Sequence, residues 1–190
     1  MNFPTVGVLA LQGAFAKHMA AFQSLHAHVK EVRKPQELKE CDALVIPGGE
    51  STTVARQIDF IGLREAIIDF AENKPILGTC AGLVLMAKNV IGHTITPFGF
   101  LDIEVERNGY GRQYESFTAE IVPSFPSSPS SFHAVFIRAP CIKKYGEKVK
   151  VLASYQTEPV LIQQDRFLAA TFHPELSGDF SIHSYFLNML

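Results

Sequence analysis

The sequence predicts an α/β fold of three layers, a mostly parallel central sheet flanked by helices with additional antiparallel strands. Three observations predict it. In the first half, short apolar runs alternate with stretches of helical periodicity, as strands do when they return through crossover helices. In the second half, short β-like runs succeed one another with only one helical stretch at the end, which favours antiparallel additions. Glycine-bearing turns close two of the apolar runs, and binding sites of parallel sheets gather at the carboxyl ends of strands.

Taken in order, Thr5 to Leu11 (TVGVLAL) reads as a buried first strand, and Gln12-Gly13 turns it into a helix from about Ala14 to Leu25. Val29 to Val32 reads as a second strand, Pro35 to Leu38 as a short turn or helix, and Ala43 to Ile46 as a strand that ends in Pro47-Gly48-Gly49-Glu50-Ser51. Helix resumes near Thr53 and again over Leu63 to Asn73. Pro75 to Leu77 fits the end of a parallel strand and Leu83 to Ala87 the start of a buried helix, although runs this short do not separate helix from strand by periodicity. Beyond them, Leu101 to Arg107, Ser116 to Val122, Ala134 to Ile137, Val149 to Ser154, Pro159 to Gln164 and Phe167 to Phe172 are β-like, and Phe180 to Met189 is helical. Pro123 to Ser131 (PSFPSSPSS) reads as a surface loop. No repeat or boundary interrupts the chain, so residues 1–190 are expected to form a single domain.

Composition narrows the function. A chain of 190 residues can bury roughly 70% of its unfolded surface around one core without disulfide or metal staples. Its three scattered cysteines imply no disulfide framework and suit a reducing compartment. A net charge of −2 carries no nucleic-acid signature. No apolar run reaches membrane-spanning length and Met1 to Leu11 lacks a basic flank, so a soluble, cytoplasmic protein without membrane attachment is expected. His26 and His28, two residues apart and without nearby carboxylates or cysteines, read as solvated side chains, and no metal or organic cofactor is implied.

The stretch KPILGTCAGLVLMA, Lys74 to Ala87, organises the chain. Cys80 stands between the small residues Gly78, Thr79, Ala81 and Gly82, as a sharp strand-to-helix turn requires when its middle residue is strained and exposed. A helix beginning there would aim its free N–H groups at the sulfur, lowering the thiol pKa and supplying oxyanion donors. A base and its orienting group are offered by Phe172-His173-Pro174-Glu175: two residues apart in extended chain, Glu175 can hold the His173 imidazole in one tautomer. The successive glycines of PGGES let backbone approach a ligand and turn N–H groups toward it. Taken alone, each piece has a commoner structural reading: a buried cysteine beside a tight turn, a strand-end histidine satisfied by backbone, a glycine turn capping the helix near Ser51.

Together, PGGES, GTCAG and FHPE, in that order on an α/β chain, resemble the class I (triad) glutamine amidotransferases, whose architecture is flavodoxin-like. The resemblance narrows to the glutaminase subunits of pyridoxal 5'-phosphate synthases through VLALQGAF, PGGESTT, GTCAGL, VERNGYGRQYESF, FIRAP and FHPEL. It implies hydrolysis of L-glutamine to glutamate and ammonia, with Cys80 as nucleophile, His173 as general base and acid, and Glu175 orienting it. It also implies glutamine and oxyanion contacts at Gly48, Gly49, Glu50, Ser51, Ala81, Arg107, Ile137 and Arg138. The implied partner is the synthase subunit of a large heteromeric ring complex, which would build pyridoxal phosphate with the ammonia. Physics agrees in part, since an amino-acid carboxylate suits guanidinium or backbone donors, but Arg107 and Arg138 are equally consistent with surface charges. Gln12 divides evenly between a loop at the site or partner face and a plain turn residue. Cys41 and Cys141 read as structural, and Tyr110, Tyr114 and Phe117 as packing residues that only the resemblance raises to a partner surface.

Two other readings share parts of this pattern. A cysteine-elbow hydrolase or stress protein would have the elbow, but PGGES with FHPE favours glutamine chemistry. A flavodoxin-like binding module would explain the sheet and glycine turns without needing a cysteine, a histidine and a glutamate at these positions.

Overall fold

The computed structural model describes residues 3–92, 95–109 and 116–190, so Tyr110 and Tyr114 lie outside the described residues. A central seven-stranded sheet has the order β10-β11-β12-β4-β3-β1-β2. Its parallel part comprises β1 (Thr5–Leu9), β2 (His28–Val32), β3 (Ala43–Ile46), β4 (Ile76–Thr79) and β12 (Phe167–Ala170). The antiparallel strands β11 (Glu158–Gln164) and β10 (Lys150–Tyr155) extend it beyond β12.

Both faces of this sheet are covered, which is why its strands read as continuous apolar runs. Along β3, Leu44 and Ile46 join one core cluster, and Ala43 and Val45 the other. Against the first face pack α3 (Ser51–Phe60), α4 (Leu63–Ala71) and α5 (Ala81–Met86), through Val54, Ile58, Ile67 and Leu83. Against the second pack α1 (Phe15–Ser24) and α6 (Ser181–Leu187), through Phe22, Ile182 and Phe186. Each such fully buried side chain stabilises the fold by about 1.5–3 kcal/mol. The short α2 (Pro35–Leu38) joins β2 to β3. Among the described residues no helix is long and apolar enough to cross a membrane.

Two small sheets complete the second half. β5 (Ala87–Ile91) pairs parallel with β6 (Leu101–Glu106), which pairs antiparallel with β9 (Cys141–Tyr145), while β7 (Ser116–Ile121) and β8 (Phe132–Ile137) form an antiparallel ribbon. The three-layer α/β prediction agrees with this architecture. It misses β5 and β9 because Lys88, Asn89, Lys143 and Lys144 of these strands face outward, so neither shows an apolar run. The helix after Cys80 is also shorter than its apolar sequence implies, ending at Met86 where the chain passes directly into β5. The serine- and proline-rich segment is a loop, but an anchored one. Ser124 N–H donates to the Leu152 carbonyl at 2.7 Å, and the Phe125 ring stacks on Tyr185 at 4.4 Å.

Candidate active site

The site forms where three neighbouring parallel strands end. β4 pairs with β3 on one side and β12 on the other, with Thr79 level with Ala170. Cys80 is the next residue after β4, Pro47 and Gly48 follow β3, and His173 lies just past β12. Motifs far apart in sequence therefore meet.

Cys80 adopts φ 49° and ψ −102°, a strained conformation for a residue with a side chain. Its N–H donates to the Ala170 carbonyl at 2.9 Å, pinning the turn to β12. Two glycines permit the turn. A Cβ at Gly78 would stand 2.5 Å from the Met86 sulfur and 2.8 Å from the Gly82 carbonyl carbon, and a Cβ at Gly82 would overlap the Ile46 carbonyl oxygen. The start of α5 thus packs directly on the end of β3. Ala81 opens that helix beside the sulfur, and first-turn N–H groups have no intrahelical partner.

His173 is held from several sides. Its backbone N–H donates to the Val135 carbonyl at 2.8 Å, and its Nδ1 lies 2.7 Å from Glu175 Oε1. Its ring lies so close to Gly48 that a Cβ there would collide with it. Burial pushes the imidazole pKa down, but hydrogen bonds to Cys80 and Glu175 outweigh this and raise it to about 10. Burial likewise pushes the Glu175 carboxyl up, yet His18 and His173 hold it well below the ordinary carboxylate range. The site therefore holds an imidazolium beside Cys80, with an ionised carboxylate behind it. Extended geometry is not what brings His173 and Glu175 together. Pro174–Leu176 form a 3-10 turn with proline at its first position, and this tighter turn swings Glu175 back under the imidazole.

A cleft of about 170 Å³ opens above Cys80, lined by Gly49, Glu50, Ser51, Ala81, Arg107, Ile137, Arg138 and His173. Cys80 Sγ is 3.8 Å from the Ile137 carbonyl oxygen. Glu50 caps α3, accepting from Thr52 N–H at 3.1 Å and Thr53 N–H at 2.8 Å. Its carboxylate also takes the Arg107 guanidinium at 2.7 Å, and Arg107 donates to Thr52 Oγ1 at 2.9 Å. Arg138 is exposed at the cleft edge, in a left-handed conformation at φ 43°. Gln12 stands behind the loop, about 3.8 Å from where a Gly49 side chain would begin. The model of the SNO glutamine amidotransferase family matches residues 8–190. The chain belongs to that family.

Among its relatives, it is 49% identical over 190 residues to the pyridoxal 5'-phosphate synthase subunit PdxT of Solibacter usitatus, covering 97% of this chain and 98% of the relative. It is 48% identical over 187 residues to PdxT of Thermosipho africanus, with 97% and 98% covered. A crystal structure of a glutamine amidotransferase superposes with a TM-score of 0.91 at 43% identity, covering 97% of each chain.

In this member of the SNO family a polar group lies beneath Cys80, His173 and Glu175 that sequence reasoning alone misses. His18 of α1 is fully buried, with Nε2 3.2 Å from Glu175 Oε2, off the line of a straight hydrogen bond, and 3.1 Å from Thr79 Oγ1. Its Nδ1 lies 3.0 Å from Nε2 of His183 on α6. The available signal was a histidine on the apolar stripe of Phe15, Met19 and Phe22. Asn108 and Pro140 also line the cleft. The other two cysteines lie apart from this chemistry: Cys41 is buried against Gly7 and Val32, where burial raises its thiol to about 11, and Cys141 is buried against Gly109.

Proposed function

We propose that this chain hydrolyses L-glutamine to L-glutamate and ammonia and passes the ammonia to a synthase subunit that makes pyridoxal 5'-phosphate. The observation that carries the reading is the strained Cys80 elbow beside the His173–Glu175 pair, 2.7 Å apart. Family membership and the PdxT relatives supply the substrate and the partner.

The Cys80 thiolate attacks the side-chain carboxamide carbon, and His173 protonates the nitrogen as the C–N bond breaks, releasing ammonia. Water then attacks the γ-glutamyl thioester while His173 takes its proton, and the C–S bond breaks, restoring the Cys80 thiolate and releasing glutamate. The Ala81 N–H and the Gly48–Gly49 peptide stabilise the oxyanion. Arg138 at the cleft edge receives the substrate carboxylate, and the Gly49, Ser51 and Ile137 segments hold the rest of the amino acid. Glu50 and Arg107 act on the loop through their mutual ion pair. No metal or organic cofactor enters the scheme.

The reaction takes place in the cytoplasm, on a large ring of synthase and glutaminase subunits. Docking switches the glutaminase on by setting the Gly48–Gly49 peptide. A Cβ on Gly13 would overlap the Gly48 carbonyl oxygen, so the loop after β1 that carries Gln12 touches this peptide directly. Losing one oxyanion donor costs roughly 100- to 1000-fold in turnover. The test is steady-state glutamate release at fixed glutamine, alone and with saturating synthase subunit. A rise in turnover number is expected. No glutamate in either arm overturns the glutaminase reading, an unchanged turnover number overturns the switch, and a change confined to KM points to ordering of the substrate site instead.

A further inference from the structure

His18 occupies a position that packing alone would give to an apolar residue. It is buried at 0% exposure beside Ala21 and Phe22, where an unsatisfied polar group costs free energy. Its ring nevertheless touches polar atoms at both ends. Glu175 can only accept, and His18 Nε2 stands 3.2 Å from its Oε2 without forming a straight hydrogen bond to it. The same nitrogen is 3.1 Å from Thr79 Oγ1, and Thr79 Oγ1 accepts the Gly48 N–H at 3.1 Å. At the opposite end, His183 Nε2 faces His18 Nδ1 at 3.0 Å. The Phe22 and His183 rings pack edge to face at 5.0 Å.

These contacts join two parts of the catalytic apparatus that no local sequence connects, the carboxylate orienting His173 and the glycine loop over the cleft. We propose that His18 is a positioning residue that fixes the Glu175 carboxylate and, through Thr79, the Gly48 end of the loop. The inference rests on the glutaminase reading. His18 does not line the cleft, so it acts through Glu175 and Thr79 and never on substrate. Without it, Glu175 Oε2 loses the 3.2 Å contact that walls in the carboxylate, which can then turn away from His173. The Thr79 hydroxyl is then left with the Gly48 N–H alone. Substrate capture, which uses the cleft walls, is untouched.

The test compares wild type, His18→Leu and His18→Gln as full chains with saturating synthase subunit, recording kcat and KM for glutamate release and the thermal midpoint of each. Leaving the buried Thr79 and Glu175 groups without His18 should cost about 10- to 100-fold in kcat for His18→Leu, with KM changed less than about 3-fold. His18→Gln, whose amide N–H₂ reaches the place of Nε2, should recover to within about 5-fold of wild type. A His18→Leu kcat within about 2-fold of wild type overturns the proposal. So does a loss shared equally by both variants, whether or not it follows their thermal midpoints, because a packing role would not distinguish glutamine from leucine. If His18→Leu does not fold, Thr79→Val carries the test. It keeps the shape and removes the oxygen between His18 and Gly48, so kcat should fall with KM held, and an unchanged kcat overturns the proposal. Wild type without glutamate release would overturn the glutaminase reading itself and the inference with it.

Discussion

Replacing Glu175 by glutamine keeps the shape of the side chain and removes its charge. In the folded protein the His173 imidazole is raised from 6.5 to about 10. A hydrogen bond to a charged group contributes about 1.5–3 kcal/mol, and one pKa unit corresponds to about 1.36 kcal/mol. Loss of the Glu175 share should therefore lower the His173 midpoint by about 1–2 units, with Cys80 sustaining the remainder. The amide must also choose between its neighbours. Its oxygen faces His173 Nδ1 only while its N–H₂ faces His18, and the reverse is open to it, so the imidazole loses its fixed tautomer. By comparison with serine-protease triads, turnover should fall between about 100- and 10,000-fold, with KM changing far less. An NMR titration of the His173 ring protons, run beside steady-state glutamate release, measures both effects. A midpoint unmoved from wild type would refute the assignment of the raised pKa to Glu175, and a defect confined to KM would place Glu175 on the substrate.

A glutamine-mimicking electrophile should label Cys80 and spare Cys41, whose thiol burial raises to about 11, and Cys141; peptide mapping that found equal labelling would remove the activated thiol. Cys80→Ala should abolish glutamine-dependent synthesis while leaving synthesis from added ammonium salt intact, because only the ammonia source is lost. Stability should depend on pH in two directions. The depressed Glu175 carboxyl contributes above its unfolded value of 4.5 and is lost as pH falls below it, whereas the raised His173 contributes fully below 6.5 and is lost as pH rises toward about 10. The two limbs belong to one shared ion pair, and denaturant midpoints should be highest between them; a pH profile identical in Glu175→Gln would contradict this. Gly82→Ala should cost about 3 kcal/mol by chemical denaturation, since its Cβ would meet the backbone carbonyl of Ile46 at the end of β3, which cannot yield as a flexible side chain would.

What could be read from the sequence followed from how each element is buried. β1, β3 and β4 lie between two helical layers, so nearly every residue is apolar and the strands announce themselves. β9 has only Cys141 and Ile142 inward, and its Lys143, Lys144 and Tyr145 face outward as on a protected edge. Cys80 was legible because a strained φ leaves a requirement for small neighbours in the sequence around it. The His173–Glu175 pair was legible by proximity, although the turn that joins them is 3-10 and not extended. His18 had no such mark. Its role depends on Thr79 and Glu175, residues 61 and 157 positions away, which only the strand order β12-β4-β3 and the seat of α1 bring together.

Glu50 carries this argument further. The family resemblance puts it among the glutamine contacts, and it does line the cleft. Its carboxylate, however, accepts from two N–H groups of α3, from the Thr53 hydroxyl and from Arg107. Although burial alone would raise it, the hydrogen bonds from Thr53 and Thr52 and the charge of Arg107 lower its pKa to about 2. A carboxylate with this many donors is ionised at any working pH and has little capacity left for a substrate ammonium group. Its contribution is to hold the backbone between Gly49 and α3 in one shape. Such preorganisation matters most where neighbouring glycines leave the chain free to move, because a donor aimed at the oxyanion is effective only if no reorganisation is needed as charge develops. Glu50 and Arg107 would then steady one end of the loop, and His18 through Thr79 the other. The Gly48–Gly49 peptide lies between these two anchors.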